Sequence, residues 1–283
     1  MVARRNPVVP RRTVSVAGCP VQTTVTARPA VARRWLYTTL WRQRRRLHHP
    51  AGGLTVGLGV QWTPPSRRLP AGVEPRPGTL QLCCGNRCLV FQLARVGGGG
   101  GAVPQILRRF LADARVTFAA YYVASDCRKL RAHHGLEVES TLELCGAGST
   151  GRASMADMTD RLLGIRHGVG KPMKLSRSRW DGAKLSREQV RYAAIDAYIS
   201  CRLGVHLRRR AAVHVADQDD ESEAGYSDDD VRSATSEASE EPEHEHGGWG
   251  RFVGFIERVS GDQQDWEASV DDHVYDSMCP VVY

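Results

Sequence analysis

Leu185–Leu207, LSREQVRYAAIDAYISCRLGVHL, is the stretch whose reading decides the fold. Ser186 stands where a helix N-cap belongs, with Gln189 three residues on. Val190, Ala193, Ala194, Ala197, Leu203 and Leu207 then recur at helical intervals. Tyr192 and Asp196 are spaced i,i+4, so they share one helix face. A carboxylate there can hold Mg²⁺ and a phenol one turn earlier can orient an attacking water, as a metal-dependent phosphodiesterase requires. The same pair also suits a helix with a half-exposed tyrosine and a surface aspartate. The rest of the chain has to decide.

Working outward, Leu54–Trp62 (LTVGLGVQW) reads as a strand, and Thr79–Cys84 with Arg87–Gln92 as an antiparallel pair turning at Gly85-Asn86. Val103–Leu111 reads as a helix, Thr117–Val123 as a strand, and Ser125–His133 as a helix with Asp126 in its first turn. Glu139–Leu144 is a further strand, Ser154–Leu163 a short helix, and Pro172–Asp181 extended and basic. Ahead of Leu54, Thr13–Val16 and Val21–Ala27 form a hairpin and Pro29–Leu40 a helix with Pro29 near its first turn. Arg42–His49, Pro64–Pro77 and the five-glycine run Gly97–Gly101 read as loops. The order predicts an α/β domain: a mixed sheet flanked by helices on both faces.

The 283 residues suffice for one good-sized domain with extensions. No run approaches the length of a membrane span, and no secretory leader is read at the N-terminus. Residues 1–50 hold eleven arginines and no acid, a composition that also suits an organelle transit peptide, so targeting beyond a nuclear or cytoplasmic location is left open. None of the eight cysteines forms a Cys-x₂-Cys pair, and they are read as reduced, buried thiols. Charge divides the chain. Residues 1–216 carry 36 Lys and Arg against 11 Asp and Glu, a net +25, and residues 217–283 carry 3 against 20, a net −17. A basic body suits phosphate binding, and a tethered acidic tail is able to compete for the same surface. The expected layout is a disordered basic N-terminus over 1–12, a folded domain over 13–210, an acidic disordered linker over 211–248 and an unassigned tail over 249–283.

The segments TVGLGVQW, LQLCCGNRCLVFQL, FLADARVTFAAYYVASDCRKL with GLEVES, and SRSRWDGAKLSREQVRYAAIDAYIS follow in an order and spacing that resemble plant 3'–5' exonucleases. These are Werner-syndrome-type exonuclease domains of the DEDD superfamily, in the subgroup with a tyrosine in the last motif. The resemblance runs from about Thr13 to Arg209. It implies an RNase H-like fold and hydrolysis of 3'-terminal phosphodiesters with two Mg²⁺ or Mn²⁺ ions, held about 4 Å apart by four carboxylates. By that resemblance Asp126 is the second-motif aspartate, Asp196 the last, and Tyr192 the tyrosine that orients water. An Asp and a Glu are expected two apart on the opening strand, projecting from one face. The chain has Gly59 and Gln61 there.

Glycine offers no ligand, and glutamine offers an uncharged one that suits a hard cation poorly. Asp126 and Asp196 alone make an incomplete metal site, and the nearest acid, Glu74, lies in a loop. The expected function is therefore binding of single-stranded or 3'-end RNA or DNA with little or no cleavage. Arg67, Arg68, Lys171, Lys174, Arg177 and Arg179 are the candidate phosphate contacts, with Arg42 and Arg44–Arg46 further basic candidates. Two alternatives stay open: a regulatory or scaffold subunit that forms homo-oligomers or assembles with active paralogues, and a weakly active metal-dependent exonuclease.

Overall fold

A computed structural model describes residues 11–49, 53–96, 102–147, 153–165 and 173–223. Seven strands form one mixed sheet: β1 (Arg11–Val16), β2 (Cys19–Thr26), β3 (Leu54–Trp62), β4 (Pro77–Cys84), β5 (Arg87–Phe91), β6 (Val116–Ala120) and β7 (Ser140–Glu143). Their spatial order is β1-β2-β5-β4-β3-β6-β7. β2 runs parallel to β5, and β3, β6 and β7 run parallel to one another, while the remaining neighbours are antiparallel. The helices are α1 (Pro29–Arg42), α2 (Arg44–His48), α3 (Gln105–Leu111), α4 (Val123–His134), α5 (Met155–Leu163), the single turn α6 (Met173–Ser176) and α7 (Arg187–Glu223). The mixed sheet with helices on both faces is the architecture expected from the sequence.

Alternation along β3 sorts the two faces. Val56 pairs with Phe118 of β6, which meets Phe110 of α3 edge-on at 5.6 Å between centroids. α1 lies on that side with α3. On the other face, Cys83 and Cys88 pack with Ala194, Ala197, Tyr198 and Cys201 of α7 and with Met155 and Met158 of α5. Gly57 lies under α7, and a side chain there would overlap the carbonyl of Ala197 and sit 2.6 Å from the amide of Cys201. Helix backbone therefore rests directly on strand backbone.

The start of α7 follows the sequence reading. Ser186 Oγ accepts from Gln189 N at 3.1 Å and Gln189 Oε1 accepts from Ser186 N at 2.9 Å, a reciprocal cap. The same Gln189 donates through Nε2 to Ser178 Oγ (2.9 Å) and the Arg179 carbonyl (2.8 Å). Buried Trp180 donates its indole N–H to the Leu175 and Ser176 carbonyls, and its backbone N–H to Thr63 Oγ1 at 2.9 Å, just beyond β3. The approach to α7 is thus tied to the end of the central strand.

Several expectations need correction. The Arg42–His49 loop contains α2, anchored by buried Leu47. The strand read over Thr117–Val123 stops at Ala120, because Tyr122 turns left-handed (φ 64°) and α4 starts at Val123. Part of the segment read as extended after Pro172 forms the turn α6. α7 continues past Leu207 to Glu223, into the stretch read as linker, since no glycine or proline interrupts the Arg- and Ala-containing run between Gly204 and Glu223. The cysteines are not all reduced: Cys83 and Cys88 form a disulfide across the β4–β5 hairpin. They face each other in the strand register with Cα atoms 4.2 Å apart, a placement that sequence spacing alone does not show. The Gly97–Gly101 run, residues 1–10 and Trp249–Val259 lie outside the described residues. The described residues of a first unit run to Arg209, and in a second unit, which begins at Arg210, the described residues 210–223 are helical. No described helix is long and apolar enough to cross a membrane.

Gly57→Ala is expected to destabilise the domain by about 3 kcal/mol or more, because rigid backbone would have to move. Gly182→Ala, whose Cβ would meet nothing closer than the Lys184 carbonyl at 3.5 Å, should stay within about 0.5 kcal/mol of the parent. Urea denaturation midpoints of the two variants check this.

Candidate active site

The parallel ladder between β3 and β6 ends at Gly57 and Ala119. Beyond it, Leu58–Trp62 keeps β4 on one side, and on the other side α4 takes the place of a strand. Val60 N–H donates to Asp126 Oδ2 at 3.2 Å, so the first turn of α4 caps the open edge of the central strand. From the opposite face, Asp196 of α7 accepts from Gln61 Nε2 at 3.1 Å. The fold therefore brings four of the positions singled out in the sequence, 59, 61, 126 and 196, to the carboxyl end of β3. Open α/β sheets commonly bind ligands at that end of their strands.

The start of α4 is held by a residue that sequence reading missed. Tyr122, in the N-cap position, makes no side-chain cap. Instead Glu143, at the end of β7, accepts from Tyr122 N (2.8 Å), Val123 N (2.9 Å) and Cys145 N (2.8 Å). A carboxylate satisfies these helix-terminal donors and complements the positive end of the helix dipole. The cap comes from a residue twenty positions away, outside any local capping pattern.

Asp126 is 8% exposed, and burial pushes its carboxyl up to about 8. The Asp196 carboxylate adds to that rise, while the Lys129 ammonium and the Val60 N–H oppose it. Lys129 lies one helical turn after Asp126 with its side chain 3% exposed. Its Nζ is 4.3 Å from the Trp62 ring centroid, 3.0 Å from the Ser125 carbonyl and 3.9 Å from Glu74 Oε2. Glu74 also pairs with Arg128 at 2.8 Å, so this loop acid is engaged by cations of α4. Lys129 was legible as the i+3 neighbour of Asp126. Its inward direction was not.

Tyr192 is also buried, with its ring centroid 5.9 Å from that of Trp180. Burial, and after it the Asp196 charge, raise its phenol to about 12, while a side-chain hydrogen bond with Ser176 opposes the rise. Tyr192 and Asp196 thus share a helix face and interact, with the hydroxyl tied to Ser176.

These residues do not fit a pair of divalent ions. Position 59 presents only backbone, and position 61 turns an amide N–H₂ donor toward Asp196. Among the described residues, no three His, Cys, Asp or Glu side chains converge as metal ligands. A Cβ at Gly59 would lie 2.8 Å from Gln81 Oε1 and 3.4 Å from Asp196 Oδ2. Gln81, opposite Gly59 in the β3–β4 register, therefore leans into the space where a carboxylate at 59 would begin.

Of the basic candidates, Arg67, Arg68, Lys174, Arg177 and Arg179 are exposed, and Lys171 lies outside the described residues. Arg67 and Arg68 occupy the loop between β3 and β4. Arg179 pairs with Asp181 at 3.2 Å, and Asp181 accepts from Thr63 Oγ1 at 2.8 Å, which places this cation beside the end of β3.

Glu143→Ala is expected to cost about 1–2 kcal/mol by leaving the start of α4 uncapped. Thermal unfolding checks this, and a change within about 0.3 kcal/mol would contradict the capping role.

Residues 72–211 match the family described as 3'-5' exonuclease, a segment that contains Asp126, Tyr192 and Asp196 and begins after Gly59 and Gln61. A 3'-5' exonuclease of Arabidopsis thaliana is 28% identical over 155 residues, which are 52% of this chain and 50% of that protein. Exonuclease 3'-5' domain-containing protein 2 of Mus musculus is 31% identical over 127 residues, 42% of this chain and 19% of that protein. The chain thus spans half or less of the length of these curated relatives. The crystal structure of Trypanosoma brucei RNase D superposes with a TM-score of 0.52 at 17% identity, covering 65% of this chain and 64% of that one, a likeness of fold. With the mixed sheet and the placement of Asp126 and Asp196, these similarities mark residues 72–211 as similar to 3'-5' exonuclease domains, on a fold shared with RNase D.

Proposed function

We propose that this domain, of the Werner type with a tyrosine in its last motif, binds single-stranded or 3'-end nucleic acid with little or no phosphodiester hydrolysis. The observation that carries the reading is the amide of Gln61 donating to Asp196 beside a side-chain-free position 59. Two-metal hydrolysis needs charged oxygen ligands there, and this arrangement offers a donor instead. The net +25 of residues 1–216 supplies the attraction for phosphates, and the exposed Arg67, Arg68, Lys174, Arg177 and Arg179 are the contacts offered. Such contacts bind without reading bases.

Cleavage and binding test this separately. End-labelled single-stranded RNA and DNA, incubated with Mn²⁺, should release no mononucleotides with the unaltered protein. Release that Asp196→Ala abolishes would overturn the reading. The Gly59→Asp/Gln61→Glu variant must first turn the Gln81 amide aside, and it then gathers four carboxylates. Its melting temperature should rise by several degrees with Mn²⁺, while the unaltered protein's stays put. Binding should weaken steeply with salt. Arg67→Ala/Arg68→Ala should reduce the slope of log K against log salt by about 1.4, at about 0.7 per single-strand phosphate contact.

A further inference from the structure

Tyr122 combines two features that are costly together. Its backbone is left-handed at φ 64°, a conformation that glycine adopts freely and a bulky aromatic residue does not. Its side chain is 53% exposed, among the few large apolar groups so exposed in the described residues. The ring touches Tyr121 edge-on, with centroids 4.7 Å apart at 75°. The surroundings hold the strain in place. Glu143 accepts from Tyr122 N, and the Tyr122 carbonyl accepts from Ser125 N at 3.0 Å and from Asp126 N at 3.4 Å. Glycine would satisfy every one of these backbone bonds with less strain, so what the side chain itself adds to the fold is its contact with Tyr121. Strained residues held this firmly cluster at functional sites.

The position says what the ring is for. Tyr122 follows the carboxyl end of β6, the strand beside β3, and lies one helical turn before Asp126. The N–H groups of Tyr122 and Val123 are already taken by Glu143, so this helix start is not free to receive a phosphate. What the chain exposes one helical turn before Asp126 is an aromatic ring on a basic body. Aromatic rings at such places stack on nucleobases regardless of sequence.

We infer that Tyr122 is a nucleobase-stacking platform at the mouth of the candidate site, taking a base of a single-stranded RNA or DNA. The inference rests on the nucleic-acid-binding reading and adds a base contact to its phosphate contacts. It predicts that stability and affinity separate. Stability follows the backbone angle, and affinity follows the ring.

The test uses the full chain and fluorescence anisotropy with a labelled single-stranded oligonucleotide, beside melting curves of Tyr122→Gly, Tyr122→Ala and Tyr122→Phe. Tyr122→Gly should melt about 2–4 °C higher than the parent yet bind about tenfold more weakly. Tyr122→Ala should bind as weakly without the gain in melting temperature, and Tyr122→Phe should match the parent in both. An oligonucleotide carrying abasic sites should lose affinity for the parent and not for Tyr122→Gly. If the parent binds and all three variants bind equally well, or if abasic sites weaken parent and Tyr122→Gly alike, the platform is refuted and the phosphate-binding reading stands. If the parent itself does not bind at low salt, the nucleic-acid reading falls, and the platform with it.

Discussion

The direct seating of α7 on β3 at Gly57 is the constraint on which the rest of the domain depends. With no side chain between them, the Ala197 carbonyl and the Cys201 amide lie against the strand, and the helix has one height above the sheet. Asp196 is one residue before that contact, and Gly59 is one side-chain pair further along the same strand face. The carboxylate consequently arrives beside positions 59 and 61 whatever residues occupy them. Gly204 repeats the close approach one helical segment on, where a Cβ would stand 2.5 Å from that of Ala119. The site's geometry is thus a consequence of backbone packing.

That separation explains how the site's shape is held independently of which side chains line it. The carboxylates at 126 and 196 are held by the fold and answered by protein donors: the Val60 N–H, the Gln61 amide and the nearby Lys129 ammonium. Buried polar groups are costly unless hydrogen-bonded. Here the answering groups come from the chain itself. The Thr63–Trp180–Asp181 clip and the Ser186–Gln189 cap hold the other end of the helix to the same strand, so the strand and the helix that carry the candidate site are braced independently of any ligand.

The entry to α4 shows a different economy. Glu143 and the left-handed Tyr122 together turn the chain from β6 into the helix that carries Asp126. What the strained, exposed aromatic residue there adds to packing is its contact with Tyr121. Strain at a backbone position one helical turn before Asp126 fits a surface shaped for contact with something outside the protein.

The sequence by itself determined the order and kind of most elements, because periodicity and turn chemistry are local. Ser186 and Gln189 marked the closing helix, Gly85-Asn86 marked the hairpin, and the absence of acids at 59 and 61 was plain from the letters. Only the tertiary structure decided how those letters meet. That Gln61 donates to Asp196, that Gln81 leans into the space beside Gly59, and that Glu143 caps a helix twenty residues upstream are contacts between distant segments. The opposition of Cys83 and Cys88 across the hairpin and the inward turn of Lys129 depend likewise on strand register and on which face of a helix is buried. Neither is written in local spacing. The candidate site residues were legible in one dimension; their hydrogen-bond partners exist only in three.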